Sequence, residues 1–199
     1  MKVTMLPPFY QLFDYLRPNT ICEIGTHDGK SAVQFVDYCL KINPKLLYIG
    51  YDVFDSVKDN KKFHIKEING KGAGKYNTAR NNIRHRQTSN KKFKFKLIQG
   101  LTQDTLVDSS YDFVYIDGGH SYETVKHDYE KVKKSKVIVF DDYQTEGVKQ
   151  FVDELIKKEK LCEYTWDEVF DAPKPCVSFM PHQSSKHIQP VIFNDIRIT

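Results

Sequence analysis

Five short strings in this sequence carry side chains suited to chemistry, and each follows an apolar run. The first is Glu23-Ile24-Gly25-Thr26-His27-Asp28-Gly29-Lys30-Ser31. Gly25 and Gly29 allow a tight turn and a close backbone approach to a ligand. A helix starting near Lys30-Ser31 can hold a carboxylate at its N-terminus. Glu23 is an acid able to meet a ligand amine through the loop. The second string ends in Asp52, whose carboxylate can accept both hydroxyls of a ribose. A glycine turn followed by an acid after the next strand is the usual logic of nucleoside binding. The two glycines are four apart with no third, which disfavours a nicotinamide oxidoreductase. The third string, Gln99-Gly100-Leu101-Thr102, reads equally as a plain turn or as a place where Gly100 lets a planar base pack closely.

The fourth string is the most specific: Tyr111-Asp112-Phe113-Val114-Tyr115-Ile116-Asp117-Gly118-Gly119-His120-Ser121-Tyr122-Glu123. Asp117 ends a buried strand, where an unpaired carboxylate is costly. A paired, ligand-facing or metal-facing role explains it. His120 lies in a glycine-flanked turn, and imidazole titrates near neutrality, which suits a general base. Packing or capping is its other reading. The fifth string is Phe140-Asp141-Asp142-Tyr143. Asp117, Asp141 and Asp142 together make an oxygen-ligand set with room for water, a donor set suited to Mg²⁺. Otherwise one acid caps the next helix and the other is solvated.

These strings need strands to end beside one another. Short β-rich runs over 20–23, 46–51, 93–98, 112–116 and 137–140 alternate with helical spacing over 31–40, 76–86, 122–133 and 146–158. That alternation predicts an α/β fold with a parallel sheet. A β-rich tail follows, over 163–170, 176–180 and 190–198. The expected architecture is a Rossmann-like, doubly wound, mostly parallel seven-stranded sheet with an antiparallel edge hairpin, in one domain over 1–199. Ligands of such sheets bind beyond the carboxyl ends of the strands. Residues 55–75 read as a polar, basic lid. Leu6-Pro7-Pro8-Phe9 reads as an N-terminal packing turn.

Composition bounds the rest. A chain of 199 residues with 40% hydrophobic content suits one core. The four cysteines (Cys22, Cys39, Cys162, Cys176) are scattered and read as reduced thiols. With no apolar run long enough for a bilayer and no signal-peptide pattern near Met1, a cytoplasmic protein without membrane contact is expected. The net charge of +4 hides an asymmetry. Residues 58–96 hold 13 Lys or Arg against Asp59 and Glu67, a local +11 that leaves −7 elsewhere. That stretch is either a solvated surface or an attraction for phosphates, of a nucleic acid or of a nucleotide-linked substrate.

The strings EIGTHDGKSA, IGYDVFD, DFVYIDGGHSYE and VIVFDDY, in this order, resemble the class I S-adenosylmethionine-dependent methyltransferases. The similarity is to the methyltransferase domain 24 family, and through it to sugar O-methyltransferases and macrocin-type O-methyltransferases. It spans residues 15–160. The resemblance implies S-adenosylmethionine as cofactor, bound by the half of the chain over 15–120. Glu23, Gly25, Thr26, Gly29 and Ser31 would hold its methionine portion, Asp52 its ribose, and Gly100 and Thr102 its adenine side. Asp117 would border the cofactor as well as a metal. Asp117, Asp141 and Asp142 match acidic metal ligands of the macrocin-type members. Many relatives carry His-Asp after the fifth strand; the Asp-Asp here favours the metal-dependent branch. The implied reaction is methyl transfer to a hydroxyl, with Mg²⁺ lowering its pKa and His120 or Asp117 taking the proton. Acceptors of the small-molecule, nucleotide-sugar or glycan class follow by analogy, a rhamnose-like sugar among them. Competing readings are a nucleic-acid methyltransferase using the basic segment and a non-catalytic cofactor-binding module. Against the first, Leu6 occupies the position before Pro-Pro-Phe where amine-methylating DNA enzymes carry Asp, Asn or Ser. Association into homo-oligomers is left open.

Overall fold

The computed structural model describes residues 7–57, 67, 72–181 and 188–194. Five parallel strands lead the chain: β1 (Thr20–Ile24), β2 (Leu46–Asp52), β3 (Phe93–Gln99), β4 (Phe113–Ile116) and β5 (Val137–Phe140). Helices α1 (Pro7–Leu16), α2 (Lys30–Ile42), α3 (Tyr76–Ser89), α4 (Thr102–Thr105), α5 (Tyr122–Val132) and α6 (Glu146–Lys158) precede, separate or follow them. The tail adds β6 (Cys162–Glu163), β7 (Cys176–Pro181) and β8 (Ile188–Phe193). The sheet order is β3-β2-β1-β4-β5-β8-β7-β6. β8 runs antiparallel to β5 and to β7, which is the anticipated edge hairpin. The chain winds outward from β1 to β3, then returns to β4 on the other side of β1. The gap between β1 and β4 is therefore the switch point where such sheets bind ligands.

The central strands β4 and β5 are buried on both faces, and residue alternation divides the core. Phe113, Tyr115, Val137 and Val139 pack with Phe9, Phe13 and Phe35 of α1 and α2. Val114, Ile116, Ile138 and Phe140 pack with Val125, Tyr129, Phe151 and Leu155 of α5 and α6. Each fully buried ring or large aliphatic contributes on the order of 2–3 kcal/mol. Three of the four cysteines lie in these cores as free thiols, and Cys162 is exposed.

Three sequence expectations change. The sheet has eight strands among the described residues rather than seven, because Cys162–Glu163 adds a two-residue edge beside β7. The β-rich reading of 163–170 gives way to a turn after Glu163. Thr165 and Glu168 close it, the Thr165 hydroxyl donating to Glu168 Oε2 at 2.6 Å. Trp166 then donates to Gln11 Oε1 at 2.6 Å, tying this turn to α1. The proline pair opens helix α1 rather than an isolated turn, since a first-turn residue needs no N–H partner. Positions 195–198 of the last predicted strand lie outside the described residues, as do 58–66 and 68–71 of the predicted lid and basic segment. No helix among the described residues is long and apolar enough to cross a membrane.

Asp112 fixes the entry side of the sheet. Its Oδ2 accepts from the Asn19 and Thr20 N–H groups at 2.8 and 3.0 Å, and Oδ1 lies 2.8 Å from Lys136 Nζ. Burial opposes its charge, but Lys136 and these N–H donors outweigh burial and hold its pKa below the usual value. Gly25 fixes the exit side. It has φ +95°, and a Cβ there would overlap the backbone carbonyl of Asp117. Gly25→Ala therefore costs at least about 3 kcal/mol of stability in a denaturant titration. Gly72→Ala, with open space around its position, stays within about 0.5 kcal/mol.

Candidate functional site

A cavity of about 360 Å³ opens at the switch point. Gly25, Asp52, Gly100, Thr102, Asp117 and His120 line it, all of them sequence-predicted site residues. Asp52 ends β2, and its carboxylate is held by two backbone donors. His27 N–H reaches Oδ2 at 2.7 Å and Phe54 N–H reaches Oδ1 at 2.5 Å. Burial raises its pKa, with those two N–H donors opposing the shift. His27, Phe54 and Asp142 have φ values of 49°, 44° and 51°. Non-glycine residues rarely adopt this region, and such strain clusters at functional sites.

Four predicted residues lie behind the cavity wall. Glu23 is fully buried, and Ser31 Oγ and Tyr48 OH both donate to its carboxylate. Its side chain thus meets hydroxyls of α2 and β2. Burial pushes its pKa up to about 7, with the hydrogen bonds from Ser31 and Tyr48 opposing. Thr26 is buried, with Oγ1 3.3 Å from Tyr48 OH. Gly29 starts α2 where a Cβ would come within 3.2 Å of Ala79 Cα, so it serves helix packing. Ser31 is spent on Glu23.

The acidic triplet is also rearranged. Asp141 turns toward the tail hairpin, accepting from Tyr115 OH at 2.7 Å and Gln189 Nε2 at 2.6 Å. Neighbouring side chains at a strand end diverge, so Asp141 and Asp142 cannot share one target here. His120 takes the vacated place: its Nε2 lies 2.9 Å from Asp142 Oδ2. Potential ligand atoms of Asp117, His120 and Asp142 all lie within 4.8 Å of one another. The His120 ring is 7% exposed and the Asp142 side chain 18%. His120 N–H also donates to the Glu67 carbonyl at 2.9 Å, which brings Glu67 to the cavity.

Sequence reasoning missed Asp128, His27 and Gln103 as cavity residues. A signal for Asp128 was present. It sits three residues after Val125 and four before Val132, on the apolar stripe of α5, where an acid needs an explanation.

A family model described as a methyltransferase domain matches residues 22–143, from β1 through the turn after β5. This chain belongs to that family, methyltransferase domain 24. The protein is accordingly a class I S-adenosylmethionine-dependent methyltransferase. A search of curated proteins finds no match. Among solved structures, this methyltransferase is similar to a Bacillus cereus O-methyltransferase in complex with S-adenosylhomocysteine. That pair is 17% identical with a TM-score of 0.53, covering 98% of this chain and 84% of the other. A Podospora anserina methyltransferase bound to the same product is 14% identical, with a TM-score of 0.52 and coverage of 94% and 76%. The methyltransferase domain of a bacterial Hen1 protein is 10% identical, with a TM-score of 0.56 and 94% of each chain covered. At these identities the likeness is one of fold.

Glu23 gives this methyltransferase a stability signature. An acid whose folded pKa is raised to about 7 holds more protons folded than unfolded between the ordinary glutamate range and that value. Stability therefore falls as pH rises from about 4.5 to about 7, then levels off. Asp128, raised to about 6 by burial first, acts in the same sense. Glu23→Gln flattens the decline between pH 5 and 8 in thermal unfolding, and the difference from wild type isolates Glu23.

Proposed function

We propose that this methyltransferase acts on a hydroxyl oxygen of a small-molecule or glycan acceptor, a sugar in the free, nucleotide-linked or glycan-bound state. The observation that carries the reading is the convergence of Asp117, His120 and Asp142 beside a cavity that also holds Asp52. When bound, S-adenosylmethionine supplies an electrophilic sulfonium methyl, so the protein's task is alignment and proton removal. The cavity volume suits a nucleoside-sized ligand. Its described lining includes Asp52, Glu67, Asp117 and Asp128, a set of acids that suits a ligand carrying positive charge. Asp52, pre-oriented by His27 and Phe54, has lone pairs left for two ribose hydroxyls.

Two carboxylates and an imidazole fit a divalent cation whose remaining positions are water or substrate. Asp117, His120 and Asp142 would hold it, and it would acidify a coordinated hydroxyl. Imidazole among the donors tilts preference from Mg²⁺ toward Mn²⁺, Co²⁺ or Zn²⁺. The 2.9 Å contact between His120 and Asp142 favours a second, metal-free reading. There Asp142 orients the imidazole and His120 accepts the hydroxyl proton.

Labelled S-adenosylmethionine with a panel of sugars, nucleotide sugars and phenols reads out the acceptor by product mass. With an active acceptor, excess EDTA abolishes turnover and Mn²⁺ or Mg²⁺ restores it. Full activity in EDTA selects the His120–Asp142 pair instead. Under either reading His120→Gln lowers turnover roughly 100-fold or more, and unchanged turnover removes His120 from the reaction. Asp52→Ala weakens S-adenosylhomocysteine binding on the order of 10–100-fold by calorimetry. Equal affinity would show that the diol lies elsewhere.

A further inference from the structure

Asp128 is a buried acid that the reaction above does not use and that, unlike Glu23, keeps an oxygen without a hydrogen-bond partner. It sits on the inward stripe of α5 beside Val125, Tyr129 and Val132, and its side chain is fully buried. Its Oδ1 lies 3.2 Å from His127 Nδ1. Its Oδ2 is buried without a hydrogen-bond partner. Thr102, from the turn after β3, approaches the carboxyl and eases its charge, yet leaves Oδ2 without an aligned donor. The same oxygen points to the Gly118 turn, 3.6 Å from where a Cβ on that glycine would sit. Asp128, Gly118 and Thr102 all belong to the cavity wall.

An acceptor buried without a donor is expensive, and natural proteins satisfy nearly all such groups. A donor arriving with a ligand removes the penalty. S-adenosylmethionine brings three kinds of N–H or O–H donor: the ribose hydroxyls, the α-ammonium and the exocyclic amine of adenine. Asp52 suits the hydroxyls. An ammonium needs several acceptors and water around it, whereas Asp128 offers one buried oxygen next to the Gly118 turn. A flat base edge carrying an N–H fits that setting.

We infer that Asp128 is a specificity residue that accepts a hydrogen bond from the exocyclic amine of the cofactor's adenine. The inference rests on the cofactor reading and adds the atom that recognises the base. A carboxylate oxygen rejects a 6-oxo purine, because two acceptors would then face each other. Sites built around one polar partner discriminate strongly against the analogue lacking it.

Calorimetric titration with two product analogues tests this. Wild type binds S-adenosylhomocysteine on the order of 10–100-fold more tightly than S-inosylhomocysteine, which carries oxygen in place of the amine. Asp128→Asn narrows that gap to about threefold or less, since a carboxamide can turn its NH₂ to the 6-oxo group. The variant also weakens 5′-methylthioadenosine, which lacks the amino-acid portion. Equal wild-type affinities for the two analogues overturn the inference, and they do so even if the variant fails to fold. An undiminished gap in folded Asp128→Asn overturns it too. Weaker S-adenosylhomocysteine with unchanged 5′-methylthioadenosine overturns it in favour of the ammonium. If wild type binds no S-adenosylhomocysteine at all, the cofactor reading itself fails and the inference falls with it.

Discussion

The close passage of two βα turns at the switch point governs this molecule. The turn after β1 lies directly on the turn after β4, and the missing side chain of Gly25 is what permits it. Asp117 N–H donates to the Ile24 carbonyl at 2.8 Å, and Gly25 N–H donates to the Tyr51 carbonyl at 2.8 Å. These bonds carry the sheet ladder past the strand ends and lock three turns together. Asp52 from the end of β2, and Asp117 and His120 from the turn after β4, are thereby brought to one cavity. A shift of this contact would move all three.

The acids of the site are sorted by their surroundings. Glu23 and Asp128 are fully buried, and burial raises the pKa of each. Asp52 keeps two backbone donors, which oppose the effect of burial. Asp112, far from the cavity at the other end of the sheet, is paired with Lys136 and shifts the opposite way. Like residues thus do different work. Asp112 joins strands, Glu23 joins β1 to α2 and β2, and Asp52, Asp117 and Asp128 border the ligand space. Three of the five non-glycine left-handed residues among those described, His27, Phe54 and Asp142, lie in turns beside it.

Much of the fold was legible because periodicity reports burial. Strands β4 and β5 are apolar throughout, as strands covered on both faces must be. Helix α6 shows Val148, Phe151, Val152 and Leu155 at helical spacing, and they are its buried residues. The tail was less legible. The run after Glu163 is rich in aromatic and β-branched residues, yet those residues serve a turn packed on α1. Thr165-Trp166-Asp167-Glu168 carried a capping signature that outweighs β propensity locally. Helix α1 was obscured by its prolines, which mark a helix start as readily as a turn.

The sequence by itself determined the alternating α/β order, the strand-end positions of Gly25, Asp52, Gly100, Asp117 and Asp142, and the family. Those features depend on residue type and on spacing along the chain. Tertiary structure decided which of the acids face the cavity. Glu23, placed by the sequence beside the ligand loop, accepts hydrogen bonds from Ser31 and Tyr48 within the wall. Asp141 was expected beside Asp142 and instead serves Tyr115 and Gln189, the latter contributed by β8 of the tail. His120 replaces it, and Asp128 joins the cavity from mid-helix. Each outcome depends on a hydroxyl, amide or backbone group distant in sequence. Spacing places a side chain at a strand end, but the donors that orient it come from elsewhere in the fold.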